Sequence, residues 1–325
     1  MKKQLIALAA ATLTLFSAAV PAAGYPERPI RLLVPAAAGG AADTLARMVG
    51  KGLSEKLGQP VVVENKPGAA AIVGMSALSR AEPDGYTIGM VFSGAMSINP
   101  SLYRNLPYDP AKDLEPIGIV AVSPLVIGVN PKLGPKTLAE LLDMARRQPG
   151  KLTFGSTGTG STQHLSMELL KSTTGVDMLH IPYKGSAAAI VDVQSGLVSA
   201  ISDNAITLMP MFQSGQLVPL AVETSRRIQS LPKVPTVAES GYPSFQASGW
   251  YGMAAPAGTD PAILRKLNAE VNAIVQSDAG KAWLQQQGME PQSDTPEGFR
   301  DYIAQEREKW AAVIKSANVP VQDTR

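Results

Sequence analysis

The stretch IRLLVPAAAGGAADTLARMVGKGLSEKLG, residues 30–58, contains a complete unit of strand, turn and helix and decides the fold class. Its apolar start predicts a buried strand, and the small residues that follow predict a turn. The helix is indicated by apolar side chains at helical spacing and by the glycine that ends the pattern: Leu45, Met48, Val49, Leu53 and Gly58. A strand that leads directly into a helix is typical of the α/β class.

The next segments repeat this alternation of strand and helix. The sequence predicts a strand at VVVEN (residues 61–65), a helix at AAIVGMSALSRAEPDG (70–85) and a third strand at YTIGMVF (86–92). Three strands joined by two helices require a mostly parallel sheet whose faces are covered by the helices.

A second round of the same pattern begins near residue 134. Thr137 and Glu140 have the spacing of a capping box at the start of a helix. Strand LTFGS (152–156) follows, and helices and strands then alternate as far as residue 223. Between the two rounds, IGIVAVSPLVIGV (117–129) predicts a strand that crosses from one to the other, with Pro124 limiting the regularity of its pairing.

The last hundred residues are richer in proline and glycine and end in helices. Thr236 and Glu239 form another capping-box pattern, and Asp260 followed by Pro261 predicts the start of a long helix. A final helix has a buried stripe of large apolar side chains, which we interpret as core: Phe299, Tyr302, Ile303, Trp310, Val313 and Ile314.

This order of elements predicts an α/β protein of two lobes with a ligand cleft between them. We expect the final helices to return to the first lobe, so that the second lobe is an insertion. The predicted lobes are then residues 24–122 with 248–325, and residues 123–247. Closure would occur about the two connections near residues 120–123 and 248–252. Trp250 beside them is a candidate reporter of closure, with packing in the core as the alternative.

Composition and the N-terminal residues limit the classes of function. Residues 1–23 have Lys2 and Lys3 ahead of an apolar run that ends in small residues, which predicts a signal peptide and export to the periplasm. Of the 29 Lys and Arg, 2 lie in that segment, so the remainder carries 27 positive and 27 negative side chains. This balance argues against nucleic acid or an anionic membrane as a partner. With 0 Cys and 2 His, disulfides, thiol chemistry and a zinc enzyme are disfavoured, and we expect neither metal nor cofactor.

The loop in FGSTGTGSTQHLSMELL, residues 154–170, has the composition of an anion site. Glycines let the backbone approach a ligand, hydroxyls supply neutral donors, and the following helix directs its positive end at the loop. The alternative is a glycine-rich turn capped by Ser161 or Thr162. The turn PAAAGGAAD of the first round occupies a corresponding place, and in open parallel sheets ligands bind where such turns gather. Neither loop contains Lys or Arg, so a carboxylate there would be held by neutral donors.

The motifs also resemble those of the Bug family, the TctC-like substrate-binding proteins of tripartite tricarboxylate transporters. Over the whole predicted mature chain they are YPERPIRLLVP, GGAADTLAR, VENKPGAA, INPSLY, GSTGTGSTQHLSMELL, HIPYKG, VPTVAESG and GWYGMAAPAGT. The resemblance implies a type II periplasmic binding protein of the Venus-flytrap kind, with ligand held between residues 36–43 and 156–164. It also implies bridging waters on the backbone of Ala37 and Gly39. Ala36 and Ala38 replace the aromatic residue and the proline that the family more usually has, which leaves the size of that end of the cleft open.

Both lines of reasoning together give the predicted ligand-binding residues. They are Ala37, Gly39, Gly40, Asp43, Ser93, Ser97, Ser156, Thr159, Gly160, Ser161, His164 and Asp203. For Asp43 the alternative is to stabilise its helix, for His164 a role in the core, and for Asp203, with Asn204, a turn. Ser93 and Ser97 follow the third strand and have the same alternative, whereas His180 is expected to be structural.

The predicted function is that of a monomeric periplasmic receptor. Its ligand would be a dicarboxylate or tricarboxylate, an acidic amino acid or an aromatic acid, and its partners the membrane subunits of a tripartite tricarboxylate transporter. The alternatives are an exported serine hydrolase for a small carboxylic ester and an interaction protein. FGSTG around Ser156 lacks the G-x-S-x-G pattern of a hydrolase, and no G-K-[ST] follows the glycines as a nucleotide site would require.

Overall fold

The computed structural model describes residues 24–324 and begins with the predicted unit of parallel strands and helices. The signal-peptide prediction falls on residues 1–23 and lies outside the described residues. The elements as far as Leu102 are β1 (Ile30–Val34), α1 (Ala41–Leu57), β2 (Val61–Asn65), α2 (Ile72–Ser79), β3 (Thr87–Phe92), a π-helix (Gly94–Ile98) and α3 (Asn99–Leu102). Strand β1 pairs in parallel with β2 and β3, as the sequence predicts.

A single long strand, β5 (Leu114–Val129), connects two sheets. Its first part pairs antiparallel with β10 (Ser248–Pro256), and its second part with β8 (Ala200–Asn204) and β9 (Val218–Val222). Pro124 lies opposite Ser248, and Leu125, the next residue, lies opposite Asn204. The crossover prediction is therefore confirmed, and the proline, which has no N–H to donate, stands where the strand changes partners.

The second sheet is built from the second predicted round. Its further elements are α4 (Leu138–Arg147), β6 (Thr153–Ser156), α5 (Thr162–Thr174), β7 (Leu179–Pro182), α6 (Ser186–Ser195) and α7 (Ala205–Gln213). Strand β6 lies between β7 and β8 and is parallel to both. We call the sheet of β2, β1, β3, β10 and the first part of β5 the first lobe, and the sheet of β7, β6, β8, β9 and the rest of β5 the second lobe, each with its helices.

The C-terminal elements are helical, with two short strands. They are α8 (Pro261–Gln276), α9 (Asp278–Gln286), β11 (Glu290–Pro291), α10 (Pro296–Ser316) and β12 (Gln322–Asp323), which pairs with β4 (Tyr103–Arg104). Asp260 caps α8 as predicted, accepting a hydrogen bond from the Ala262 N–H. Thr236 and Glu239 make both hydrogen bonds of the predicted capping box, but only a turn follows them.

The last helix packs against both lobes. Phe299 and Ile303 lie in a core cluster with Trp250 of the first lobe. Trp310, Val313 and Ile314 lie in another cluster, with Phe154 and Leu165 of the second lobe. The assignment of residues 123–247 to one lobe and of residues 24–122 and 248–325 to the other stays a prediction. It places α10 in the first lobe, whereas α10 packs on both lobes. Among residues 24–324, no helix combines the length and the hydropathy that crossing a bilayer requires.

Candidate ligand-binding cleft

A cleft of about 460 Å³ opens where the two lobes meet. The second lobe contributes residues 157–163 and Asn204, and the crossing strands contribute Ser123, Leu125 and residues 249–251. The first lobe contributes residues 70–71, 92–94, 98–99 and 102–103. The cleft therefore lies against both connections between the lobes.

The glycine-rich loop forms the second-lobe side of this cleft. Gly158 and Gly160 have φ values of 136° and 80°, which other residues rarely adopt, so the glycines are needed for the path of the loop. The Ser161 hydroxyl accepts a 3.2 Å hydrogen bond from the His164 N–H and caps α5. Ser161 also lines the cleft, as do Thr159 and Gly160. The capped turn and a ligand site are thus compatible at these positions.

Some backbone donors of the loop are used within the chain and others are not. The Gly158 N–H donates to Ser156 Oγ, and the Gly160 N–H donates to His164 Nδ1, each at 3.1 Å. Within residues 24–324, no acceptor faces the backbone N–H of Thr159, Thr162 or Gln163. All three residues line the cleft, so their N–H groups are available to an anion.

Two stacked histidines support the loop. The rings of His164 and His180 lie 3.8 Å apart, and the ring of Phe154 lies 5.0 Å from that of His180. Burial lowers the pKa of His164 to about 3 and that of His180 to about 4, so both are neutral at pH 7. Because His164 Nδ1 accepts from Gly160, the proton of its ring is on Nε2.

Of the predicted site residues, Ser156, His164 and Asp203 are buried outside the lining of the cleft. Ser156 Oγ lies 2.7 Å from His180 Nε2. Asp203 Oδ1 accepts a 3.2 Å hydrogen bond from the amide of Gln163, and burial raises the pKa of the Asp203 carboxyl. These three residues hold lining residues in place, and direct ligand contact by them stays a prediction.

On the first-lobe side, the π-helix and α3 bring Ser93 and Asn99 to the cleft. The predicted Ser97 is fully buried and does not line the cleft. The Asn99 amide donates a 2.9 Å hydrogen bond to the carbonyl of Ala70, which lines the cleft with Ala71. Sequence reasoning did not identify Asn99 or these alanines as site residues, although the motif INPSLY contains Asn99 and the motif VENKPGAA ends at Ala70.

The carboxylate of Asp43 stabilises the turn PAAAGGAAD (residues 35–43) of the first lobe. Asp43 Oδ2 accepts from the Gly39 N–H at 2.8 Å and from Arg47 Nε at 3.0 Å. Its Oδ1 accepts from the Asn65 amide at 3.0 Å. The Arg47 hydrogen bond is the largest cause that holds the pKa of the Asp43 carboxyl below its ordinary value. Ala37, Gly39 and Gly40 are exposed and outside the lining, so their contact with ligand stays a prediction.

Side chains of the two lobes meet across the cleft in the part of the chain that the structure describes. The Ser123 hydroxyl donates a 2.7 Å hydrogen bond to Asn204 Oδ1. Leu102 of the first lobe packs directly on the loop, so that a Cβ at Gly160 would overlap its side chain. The cleft in this conformation therefore has contacts between its two walls.

Comparison with known proteins agrees with this architecture. The sequence model of the tripartite tricarboxylate transporter family receptors, TctC, matches residues 45–319. The chain belongs to this family. It is a solute-binding receptor of the TctC type with the two-lobed α/β fold, as the sequence motifs indicate.

Relatives match along nearly the whole chain. The chain is 39% identical over 307 residues to Protein BugT of Bordetella pertussis, with 94% of each chain covered. The structure of R. palustris Rpa4515 with adipate is 36% identical, with a TM-score of 0.77, 91% of this chain covered and 99% of that one. The structure of the periplasmic binding protein BugD is 35% identical, with a TM-score of 0.73, 92% of this chain covered and 100% of that one.

Proposed function

We propose that this chain acts in the periplasm and binds a small carboxylated molecule in the cleft between its lobes. The observation that carries the proposal is the loop of residues 157–163, which lines the cleft with neutral donors. Family membership and the adipate of Rpa4515 support the same ligand chemistry. The bound acid would be passed to the membrane subunits of a tripartite tricarboxylate transporter, with the receptor working as a monomer.

Neutral donors are sufficient for such binding. A hydrogen bond to a charged group contributes about 1.5–3 kcal/mol, and backbone N–H groups of Thr159, Thr162 and Gln163 are available with the loop hydroxyls. Four to six such bonds, less the cost of immobilising the ligand, reach the ~8 kcal/mol of a micromolar complex. No cation is required.

We also propose that the chain is a receptor without turnover. The serine hydrolase alternative would use Ser156, whose Oγ is 2.7 Å from His180 Nε2. Ser156 is 1% exposed, lies outside the lining of the cleft and receives the Gly158 N–H, which favours a supporting role for the pair. Hydrolysis of a panel of small carboxylic esters, with Ser156→Ala as its control, would contradict this part of the proposal.

Thermal unfolding of the exported chain with a panel of organic acids tests the binding function. A ligand at 100 times its Kd adds about 2.7 kcal/mol to the free energy of unfolding and raises Tm. Adipate, malate, aspartate and benzoate represent the ligand classes that the sequence left open. We expect at least one class to raise Tm in a saturable manner, and the corresponding amides not to. Absence of any shift with every acid would contradict the proposal.

A further inference from the structure

A second groove lies between the lobes, on the other face of the connecting strand β5. Val122 and Ser123 are consecutive residues of this extended strand, so their side chains point to opposite faces. Ser123 lines the ligand-binding cleft, whereas Val122 lines a small cavity of about 60 Å³. A larger cavity of about 390 Å³ adjoins the small one and shares Glu290 with it. We call these two cavities together the rear groove.

The two walls of the rear groove belong to different lobes. The loop after β9, residues 224–230, forms one wall, and the segment of α9 and β11, residues 282–292, forms the other. Ile228 belongs to a core cluster of the second lobe, and Met289 to a core cluster of the first lobe. The lobes therefore face each other on both faces of β5.

Ile206 of the second lobe packs on Gly288 of the first lobe at the edge of the rear groove. Ile206 lies in the first turn of α7, and Gly288 follows α9 and lines the rear groove. A Cβ at Gly288 would lie 2.5 Å from the Ile206 Cβ and 3.1 Å from its Cα, so the isoleucine lies directly on the glycine backbone. Ile206 is 46% exposed, so the contact covers part of a side chain that is otherwise in solvent.

Contacts on opposite faces of a hinge respond oppositely when the lobes rotate. The space of about 460 Å³ between the cleft walls leaves room for these walls to approach each other. When they approach on one face of β5, the walls of the rear groove separate on the other face, and Ile206 moves away from Gly288. A contact that is present before closure and lost after it favours the open form. Because a ligand held by both walls binds the closed form, such a contact lowers its apparent affinity.

We infer that Ile206 and Gly288 determine the affinity of the receptor without touching its ligand, because their contact in the rear groove resists closure of the cleft. This inference rests on the proposed function. The loop of residues 157–163 supplies the donors that bind the carboxylate, and the rear contact sets how much of the resulting binding free energy is used to close the lobes.

Calorimetry on Ile206→Ala tests the effect on affinity. The variant loses most of the rear contact but keeps a good helix-forming residue in α7. The probe is whichever of adipate, malate, aspartate and benzoate raises the Tm of the wild type most. We expect the variant to bind this acid about 3- to 10-fold more tightly, as removal of a few half-buried methyl and methylene groups from the open form allows.

Leu197→Ala is the matched control for Ile206→Ala. Leu197 is an exposed apolar residue of the same lobe and lies outside the lining of the cleft and of the rear groove. We expect its affinity to equal that of the wild type. If Ile206→Ala bound the acid as the wild type does, or more weakly, the inference would be overturned and the receptor function would stand.

Gly288→Ala tests the same contact by adding an atom instead of removing atoms. The new Cβ overlaps Ile206, including its backbone, so the walls of the rear groove must move apart. We therefore expect this variant also to bind the acid more tightly, whereas weaker binding would contradict the inference. Its Tm should fall because φ at this position is 65°, which alanine rarely adopts. Where this variant does not fold, Ile206→Ala decides.

The distance between the lobes tests the inference without any ligand. Spin labels at Lys51→Cys on α1 and Val191→Cys on α6 lie at exposed positions of the two lobes. We expect Ile206→Ala to shift the distribution of their distances to shorter values, and Leu197→Ala to leave it unchanged. An unchanged distribution in Ile206→Ala would overturn the inference. Because no acid is needed, this result decides the inference even where every acid fails to bind, an outcome that overturns the proposed function instead.

Discussion

Ser161 combines two functions in one hydroxyl group. Its oxygen accepts the His164 N–H as the cap of α5, while its proton remains available to a ligand in the cleft. Ser161→Ala is therefore expected to lower the free energy of unfolding by about 1 kcal/mol. It is also expected to weaken the binding of a carboxylate about 5- to 150-fold, through loss of one bond to a charged group. Calorimetry and thermal unfolding measure the two effects separately.

Thr137→Ala is the matched control for this prediction. Thr137 caps α4 through the same kind of bond, accepting from the Glu140 N–H, but it lies away from the cleft. We expect a similar loss of stability and no change in affinity. If Ser161→Ala also left the affinity unchanged, Ser161 would be a helix cap alone.

Gly160 illustrates what a sequence can and cannot predict at the scale of one residue. Its loop was predicted correctly as a glycine-rich turn before a helix, because glycine and hydroxyl content are local properties. The prediction assigned the missing Cβ to the approach of a ligand. In the structure, Leu102 occupies the space of that Cβ, and the φ of 80° alone requires glycine. Contacts between residues 58 positions apart leave no local signal.

At the scale of elements, the periodic strands and helices were predicted and the irregular ones were not. Hydrophobic spacing identified α1, α5 and α10, but nothing in SGAMSI indicates that β3 leads directly into a π-helix. The residues Ala69, Ala70 and Ala71 have φ values of 45°, 51° and 76°. Alanine prefers the right-handed helix, so only tertiary contacts maintain this conformation. The first-lobe wall of the cleft depends on both features, and of its lining residues the sequence predicted Ser93 but not Ala70, Ala71 or Asn99.

Asn99 is the contact that holds this left-handed turn. Its amide donates to the Ala70 carbonyl at 2.9 Å and to Tyr108 Oη at 3.3 Å, with Asn99 4% exposed. Asn99→Ala leaves the buried Tyr108 hydroxyl and the turn without this donor, and we expect the free energy of unfolding to fall by about 1–3 kcal/mol. Released strain should also speed amide hydrogen exchange at Ile72, whose N–H donates to Ala69.

Amide hydrogen exchange measured by NMR tests, residue by residue, whether Asn99 stabilises the left-handed turn. Leu133, whose N–H closes the turn after Asn130, lies in the second lobe and serves as the internal reference. Faster exchange at Ile72 with Leu133 unchanged is the expected result. Equal exchange at Ile72 in variant and wild type would mean that the turn is held by other contacts.

For the whole molecule, the buried Glu223 and the two stacked histidines set opposing dependences of stability on pH. Burial raises the pKa of Glu223 from 4.5 to about 7, so the folded state retains a proton that the unfolded state loses. This contribution to stability falls as pH rises from about 4.5 to 7. His164 and His180, with pKa values lowered from 6.5 to about 3 and about 4, act oppositely, and their contribution is lost as pH falls below 6.5. These groups together favour maximal stability near pH 6.5.

The substitution Glu223→Gln separates the pH dependence that comes from Glu223 from the one that comes from His164 and His180. The amide oxygen can still accept the 2.6 Å hydrogen bond from the Ser202 hydroxyl, and the variant has no charge to bury. Between pH 5 and pH 8 the contribution of Glu223 to the free energy of unfolding falls by roughly 3 kcal/mol, and we expect the variant to lack this contribution. Its stability should therefore rise more steeply than that of the wild type up to pH 6.5 and should not fall between pH 6.5 and pH 8. The acid side of the profile, which depends on the histidines, should remain. Denaturant titrations at a series of pH values measure both sides, and a parallel profile for variant and wild type would contradict the assignment.

The two lobes are expected to close when a ligand binds between them. Ser123 and Pro124 lie opposite Gly249 and Ser248, so the two connections between the lobes are paired beside the cleft and can bend as one hinge. The helix α10 packs on both lobes and must shift against one of them when they move. We expect a saturating acid to bring α1 and α6 closer together, because the ligand makes its contacts with both walls only when they approach.

The absence of cysteine makes this distance measurable with a pair of spin labels. Lys51→Cys on α1 and Val191→Cys on α6 place exposed labels on the two lobes. Electron–electron double resonance should give a shorter distance with saturating ligand than without it. Lys51→Cys with Val73→Cys places both labels on exposed positions of the first lobe, and their distance should stay constant. An unchanged distance between the lobes at saturation, in a chain that calorimetry shows to be fully bound, would mean that the receptor binds its ligand without closing.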